Sequence, residues 1–251
     1  MKKRFAVISA AAFCAVSLSA VAFGMPRTAV TLTAVLQPTA LPDGFAATAA
    51  PTARIIAAVP APTALPVSVN NKVPYTMQAP YNKWDPLHED ACEETSLIMV
   101  KHYLDQTPIS SPEQADREIT DLVTWEQVHG YGPSISLEQL NQVAKDYYGL
   151  KNGKVVQISS IDEIKAELSN GHPVIVGLAG KLLPNPYFSN GGPNYHMLTV
   201  TGYDGTGVIT NEPGTWHGNG FHYAYASFYS AMHDWNASNI LLGQKAFLAF
   251  E

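Results

Sequence analysis

Sulfur, positive charge and long apolar runs are all scarce in this chain. Of its 251 residues only two are cysteine, Cys14 and Cys92, too few for a disulfide framework. Lysine and arginine together number 15 against 21 acidic residues, giving a net charge of −6. No Lys/Arg cluster lies beyond the extreme N-terminus, which argues against nucleic acid or an anionic membrane surface as a partner. After the N-terminal segment nothing approaches the roughly 18 consecutive apolar residues of a membrane span. HExxH, CxxC and phosphate-cradling glycine loops are missing as well. Gly191-Gly192 runs into Pro193, and Asp204-Gly205 reads as a hairpin turn. His217 and His222, five apart in a glycine-rich loop, read as solvated and not as ligands. Neither a metal nor a cofactor is expected.

What is present falls into three parts. Residues 1–22 carry Lys2, Lys3 and Arg4, then an Ala- and Val-rich run, then Ala20-Val21-Ala22, the pattern of a secretory signal with a small-x-small cleavage site. Cys14 leaves with that segment; Phe13 ahead of it is too large for a lipoprotein signal. Residues 23–70 are dominated by Ala, Thr, Pro and Val with only Arg27, Asp43 and Arg54 charged, so they read as a tether or pro-segment. Residues 71–251 remain, enough for one domain with a core of its own. A secreted or cell-envelope location follows from the signal.

Capping signals place helices at Cys92 to Leu104, Pro112 to Val123 behind Ser111, and Leu137 to Tyr148 between a Ser136/Gln139 box and Gly149. A further helix follows Ser160 with Glu163 and stops at Asn170-Gly171. The second half reads as strands: Val155 to Ile158, Val174 to Ala179, His196 to Tyr203, Val208 to Asn211 and Ile240 to Phe250. Phe221 to Trp235 reads as an amphipathic helix over the sheet. Helices first and strands later is an α+β order.

Once the signal is removed, Cys92 is the only thiol, and a lone cysteine outside the cell has no structural disulfide to make. Asp90 and Glu93, three apart ahead of an apolar-periodic run, suggest a capping box that puts Cys92 in the first helical turn. The backbone N–H groups there favour a thiolate. Glu89, Asp90, Glu93 and Glu94 crowd the thiol and oppose that ionisation, so an imidazolium is needed nearby. Of eight histidines, His196 is best placed, opening a strand behind a loop rich in Gly, Pro and Asn. His88 is the reserve candidate. On the returning strand either Asn211 or Glu212 would orient the ring. A two-residue loop at Asp204-Gly205 puts Asn211 on the face of His196, and a three-residue loop puts Glu212 there.

Taken together, KVPYTMQAPYNKWDP, EDACEETSLIMV, YHMLTVTGYDG and ITNEPGT resemble the peptidase C39-like family of papain-like cysteine peptidases. The resemblance implies a papain-like α+β fold, a helical half packed on an antiparallel sheet. It implies that Cys92 is the nucleophile, His196 the base, and Gln78 an oxyanion donor beside the Cys92 backbone N–H. Where the family carries Asp before Pro, this chain has Glu212 before Pro213. The implied partner is a peptide or a cell-wall peptide stem, handled by a monomer, with Trp84, Tyr187 and Tyr195 as substrate contacts. The loop Gly180 to Tyr195 would form one rim of the cleft. A catalytically silent envelope-binding module with the same fold is the competing expectation.

Overall fold

The computed structural model describes residues 64–251. The secretory signal and all but the end of the tether lie outside the described residues.

Two strands, Val174–Leu178 and His196–Tyr203, are buried at every position. Strands buried on both faces require cover on both sides, and the architecture supplies it. Seven strands, β1 (Val69–Asn70), β2 (Gly153–Gln157), β3 (Val174–Leu178), β4 (His196–Tyr203), β5 (Gly207–Asn211), β6 (Asn219–Ala224) and β7 (Ala246–Phe250), form one sheet. Its order is β2-β7-β3-β4-β5-β6, with β1 beside the far end of β4, and every pairing is antiparallel. One face packs against α2 (Cys92–Leu104), α3 (Pro112–Val128) and α4 (Leu137–Tyr148), where Leu97, Ile98, Leu140 and Val143 meet Ile175, Met197 and Leu248. The other packs against α5 (Ile161–Ser169) and α6 (Tyr225–Ala231), where Ile164, Leu168 and Phe228 meet Val176, Leu198 and Val200. The fold is α+β, with its helical half against an antiparallel sheet.

Local chemistry explains most of the element limits. In α4 the Ser136 and Gln139 side chains cap each other's backbone, and Gly149 closes the helix at φ 71°. At the start of α5 the Glu163 carboxylate accepts from the Ser160 N–H at 3.1 Å. Helix α2 is buried all round from Cys92 to Val100. It tolerates Thr95 and Ser96 in that setting because their hydroxyls donate back to the Ala91 and Cys92 carbonyls, at 2.6 and 2.7 Å.

Three expectations need correction. Asp90 and Glu93 form no cap: α2 follows Ala91 without a side-chain bond, because Asp90 instead ends a short α1 (Pro86–Glu89) capped by Asp85. The span 240–250 is a strand only from Ala246, since the Asn239 carboxamide accepts from the Leu241 N–H and winds Ile240–Leu242 into a 3-10 turn. The span 221–235 is not one helix. Phe221 and Tyr223 face inward at every second residue, the period of a strand, and β6 completes the edge of the sheet before α6 begins.

Candidate active site

The first turn of α2 points at the start of β4. Cys92 is 6% exposed, and its Sγ accepts a hydrogen bond from the Met197 N–H at 3.2 Å. Its proton is directed to Glu93 Oε2, 2.9 Å away, and Glu93 Oε1 accepts from the Ile135 N–H at 3.3 Å. Burial and the Glu93 charge push the thiol well above its usual range, only partly opposed by the Met197 N–H. Burial and the neighbouring Glu94 likewise push Glu93 up. A third buried acid, Glu126, is raised to about 10 by burial and by Glu94. The acidic crowding read from the sequence is real, and Glu93 is the member that touches sulfur. As the first helical residue, Cys92 also presents a backbone N–H with no intrahelical acceptor.

His196 sits beside this thiol at the head of β4, 2% exposed. Its Nε2 lies 2.5 Å from Glu212 Oε1. No hydrogen bond joins His196 to Cys92, although both line the same cleft. The Phe188 ring packs on the imidazole in a T-shaped arrangement, with ring centroids 5.4 Å apart. The carboxylate is fully buried and doubly served, by the Gly214 N–H at 2.9 Å and the Tyr223 hydroxyl at 2.8 Å.

The sheet register decides between Glu212 and Asn211, by a route the sequence did not offer. The hairpin closes as Tyr203↔Val208 and Gly202↔Ile209, a loop longer than either considered. An irregularity at Thr201 then shifts the pairing to Val200↔Thr210 and Thr199↔Asn211. Continuing that register puts Glu212 on the His196 face. Asn211 therefore does not orient the ring. Its amide donates to the Val73 and Pro74 carbonyls at 3.1 and 3.2 Å, tying down the incoming chain.

A cleft of about 650 Å³ brings together Gln78, Trp84, Cys92, Tyr187, Tyr195 and His196. Within it two expectations change. The Gln78 amide hydrogens are spent on the His88 and Glu89 carbonyls, at 2.8 and 3.1 Å, so in this conformation Gln78 aims no free donor at the thiol. Tyr195 belongs to the core, 7% exposed; its hydroxyl meets the Ile135 carbonyl and Asp234, so little of it is left to face the cleft. Trp84 and Tyr187, expected as substrate contacts, are exposed and line the cleft, together with Trp216. The reserve candidate His88 lies away from the thiol, between Asp85 at 2.8 Å and Asp116 at 3.1 Å. Among the described residues no group of three or more His, Cys, Asp or Glu side chains is placed to hold a metal.

No curated protein matches the chain. Among solved structures it is similar to a candidate C39-like peptidase from Bacillus anthracis, at 17% identity and a TM-score of 0.49 over 73% of this chain and 97% of that one. It is also similar to xylellain, a cysteine protease from Xylella fastidiosa, at 15% identity and a TM-score of 0.40 over 75% and 87%. Residues 70–239, more than half of the sequence, match the Peptidase_C39 like family, and the chain belongs to that family.

Proposed function

We propose that this protein is a secreted cysteine peptidase in which Cys92, His196 and Glu212 act as nucleophile, base and orienting acid. The observation that carries the reading is the meeting, in one cleft, of a thiol at the head of α2 and an imidazole held through Nε2 by a buried carboxylate. With Nε2 engaged, Nδ1 is the nitrogen left to take the thiol proton.

The thiol first leaves Glu93 and gives its proton to His196 Nδ1. The thiolate then attacks the peptide carbonyl carbon, and the developing oxyanion is stabilised by the Cys92 backbone N–H. The imidazolium returns the proton to the amine as the C–N bond breaks. Water then hydrolyses the thioester, His196 taking its proton and Cys92 recovering its thiol. Gln78 joins the oxyanion donors only if its amide is released from the His88 and Glu89 carbonyls. Peptide stems of the cell wall or other extracellular peptides are the substrate class, lying against Trp84 and Tyr187.

A mixed peptide library incubated with the 64–251 domain and its Cys92→Ala variant, read by mass spectrometry, tests this. Cleavage by the parent alone is expected, and cleavage that survives in Cys92→Ala removes the assignment. The thiol-to-Glu93 hydrogen bond and the occupied Gln78 amide favour a second reading, a binding module without turnover. Alkylation of Cys92 against pH separates the two. A plateau reaching well below about 8.5 in the presence of peptide marks an activated thiolate, and a midpoint at or above it marks the module.

A further inference from the structure

Behind His196 the hydrogen bonds run in one direction only, and it can be read from donors that have no choice. The Tyr187 backbone N–H donates to Asn185 Oδ1 at 3.0 Å. That fixes the amide, so Asn185 Nδ2 is the group facing the Tyr223 hydroxyl, at 2.8 Å. An amide NH₂ only donates, so the Tyr223 oxygen accepts there and its own proton points to Glu212 Oε2, 2.8 Å away. The other oxygen, Oε1, takes the Gly214 N–H at 2.9 Å. A carboxylate that already accepts from two donors meets His196 Nε2 as an acceptor, which places the ring proton on Nε2. Asn185, Tyr223 and Glu212 are 8%, 1% and 0% exposed, so water cannot replace a missing member of the chain.

From this directionality we propose that Asn185 and Tyr223 are positioning residues that set the tautomer of His196 through Glu212 and so leave Nδ1 bare for the Cys92 proton. The proposal rests on the peptidase reading above. The relay starts at the Tyr187 backbone, in the rim of the cleft, so the same loop that faces substrate also fixes the base. If the Tyr223 proton is withdrawn, one carboxylate oxygen is left buried without its donor. Glu212 then takes the Nε2 proton while one proton from solvent enters the ring at Nδ1, so the pair gains one proton overall and the neutral ring carries its proton on Nδ1, where it cannot serve as base.

Tyr223→Phe deletes the hydroxyl while its ring can still pack on Phe221 and Phe228. In protein labelled with ¹⁵N-histidine, the wild-type His196 signals are expected to be those of an Nε2–H imidazole with bare Nδ1, and those of Tyr223→Phe a mixture with the Nδ1–H form. On a peptide substrate kcat is expected to fall about tenfold or more with KM unchanged. A wild-type ring protonated on Nδ1, or wild-type ring signals and kcat in Tyr223→Phe, overturns the proposal. Should that variant not fold, Asn185→Asp turns the donor facing Tyr223 into an acceptor at constant size, and unchanged ring signals there overturn it equally. The ring signals need no turnover. Failure of the peptidase reading shows instead as a wild type with Nε2–H intact and no cleavage of any peptide.

Discussion

Glu93 and Glu212 are two buried glutamates of the candidate site, and in the proposed peptidase their surroundings give them opposite tasks. Glu212 accepts from three donors and holds a base. Glu93 accepts from the thiol itself and keeps it protonated. Replacing Glu93 by Gln removes a charge that raises the thiol, so the midpoint of Cys92 alkylation by iodoacetamide should move to lower pH and the rate at pH 7.5 should rise severalfold. A midpoint unchanged or higher would mean that burial alone holds the thiol. Glu212→Gln, by contrast, supplies an amide that can donate to the ring and fix the wrong tautomer. Peptide cleavage should fall about 10²-fold or more with little change in KM, measured as initial rates against substrate concentration.

At the scale of elements, the site depends on strand register, and the register depends on two close approaches. Gly202 follows the irregularity at Thr201, and a Cβ there would lie 2.2 Å from the Val69 carbonyl oxygen and 2.8 Å from Asn70 Cα. Gly202→Ala should therefore lift β1 from β4 and cost about 1 to 3 kcal/mol, as overpacking does, visible as a lower urea midpoint. A variant with the parent midpoint would show that β1 contributes little. Gly218 is the second approach: a Cβ there would stand 1.8 Å from the Glu212 carbonyl oxygen, in the turn whose Gly218 carbonyl accepts the Glu212 N–H.

These same elements separate what the sequence discloses from what it withholds. The limits of α4 follow from its capping box and its closing glycine, and the spans of α2 and β4 from their apolar patterns, signals carried within a few residues. Cys92 and His196 are legible for the same reason, each standing at the head of a well-marked element. The choice of Glu212 over Asn211 is not, because it turns on one unpaired residue in the facing strand. Nor is the inward turn of Glu93, which needs the Ile135 N–H from another part of the chain. Tyr223 is hidden by its misread helix, and Asn185 by a loop with no periodicity. The occupied amide of Gln78 depends on α1, four residues long and too short to leave a pattern.

Across the whole molecule, a sheet covered on both faces leaves little room for charge, and the acids trapped beneath it tie stability to pH. Glu126 is raised from 4.5 to about 10 by burial and by Glu94. A carboxyl whose folded value lies above its unfolded value binds more protons in the folded state, so it stabilises at low pH. That contribution is lost as pH rises from about 4.5 towards about 10. Stability should accordingly decline across that window, by at most about 1.4 kcal/mol per pH unit for one proton. Glu126→Gln should flatten the decline, and thermal melts between pH 5 and pH 9 will show whether it does.

The hydrogen bond from Cys92 to Glu93 bears on durability as well as on rate. Peroxide oxidises the thiolate form of cysteine to a sulfenic acid, the reversible first step of a ladder that ends in irreversible sulfinic and sulfonic acids. A thiol kept protonated, nearly sealed from solvent and without a second cysteine among the described residues neither climbs that ladder readily nor enters a disulfide. In the proposed peptidase, the contact that holds the nucleophile back at rest is thus also what lets a single sulfur atom survive in air between one substrate and the next.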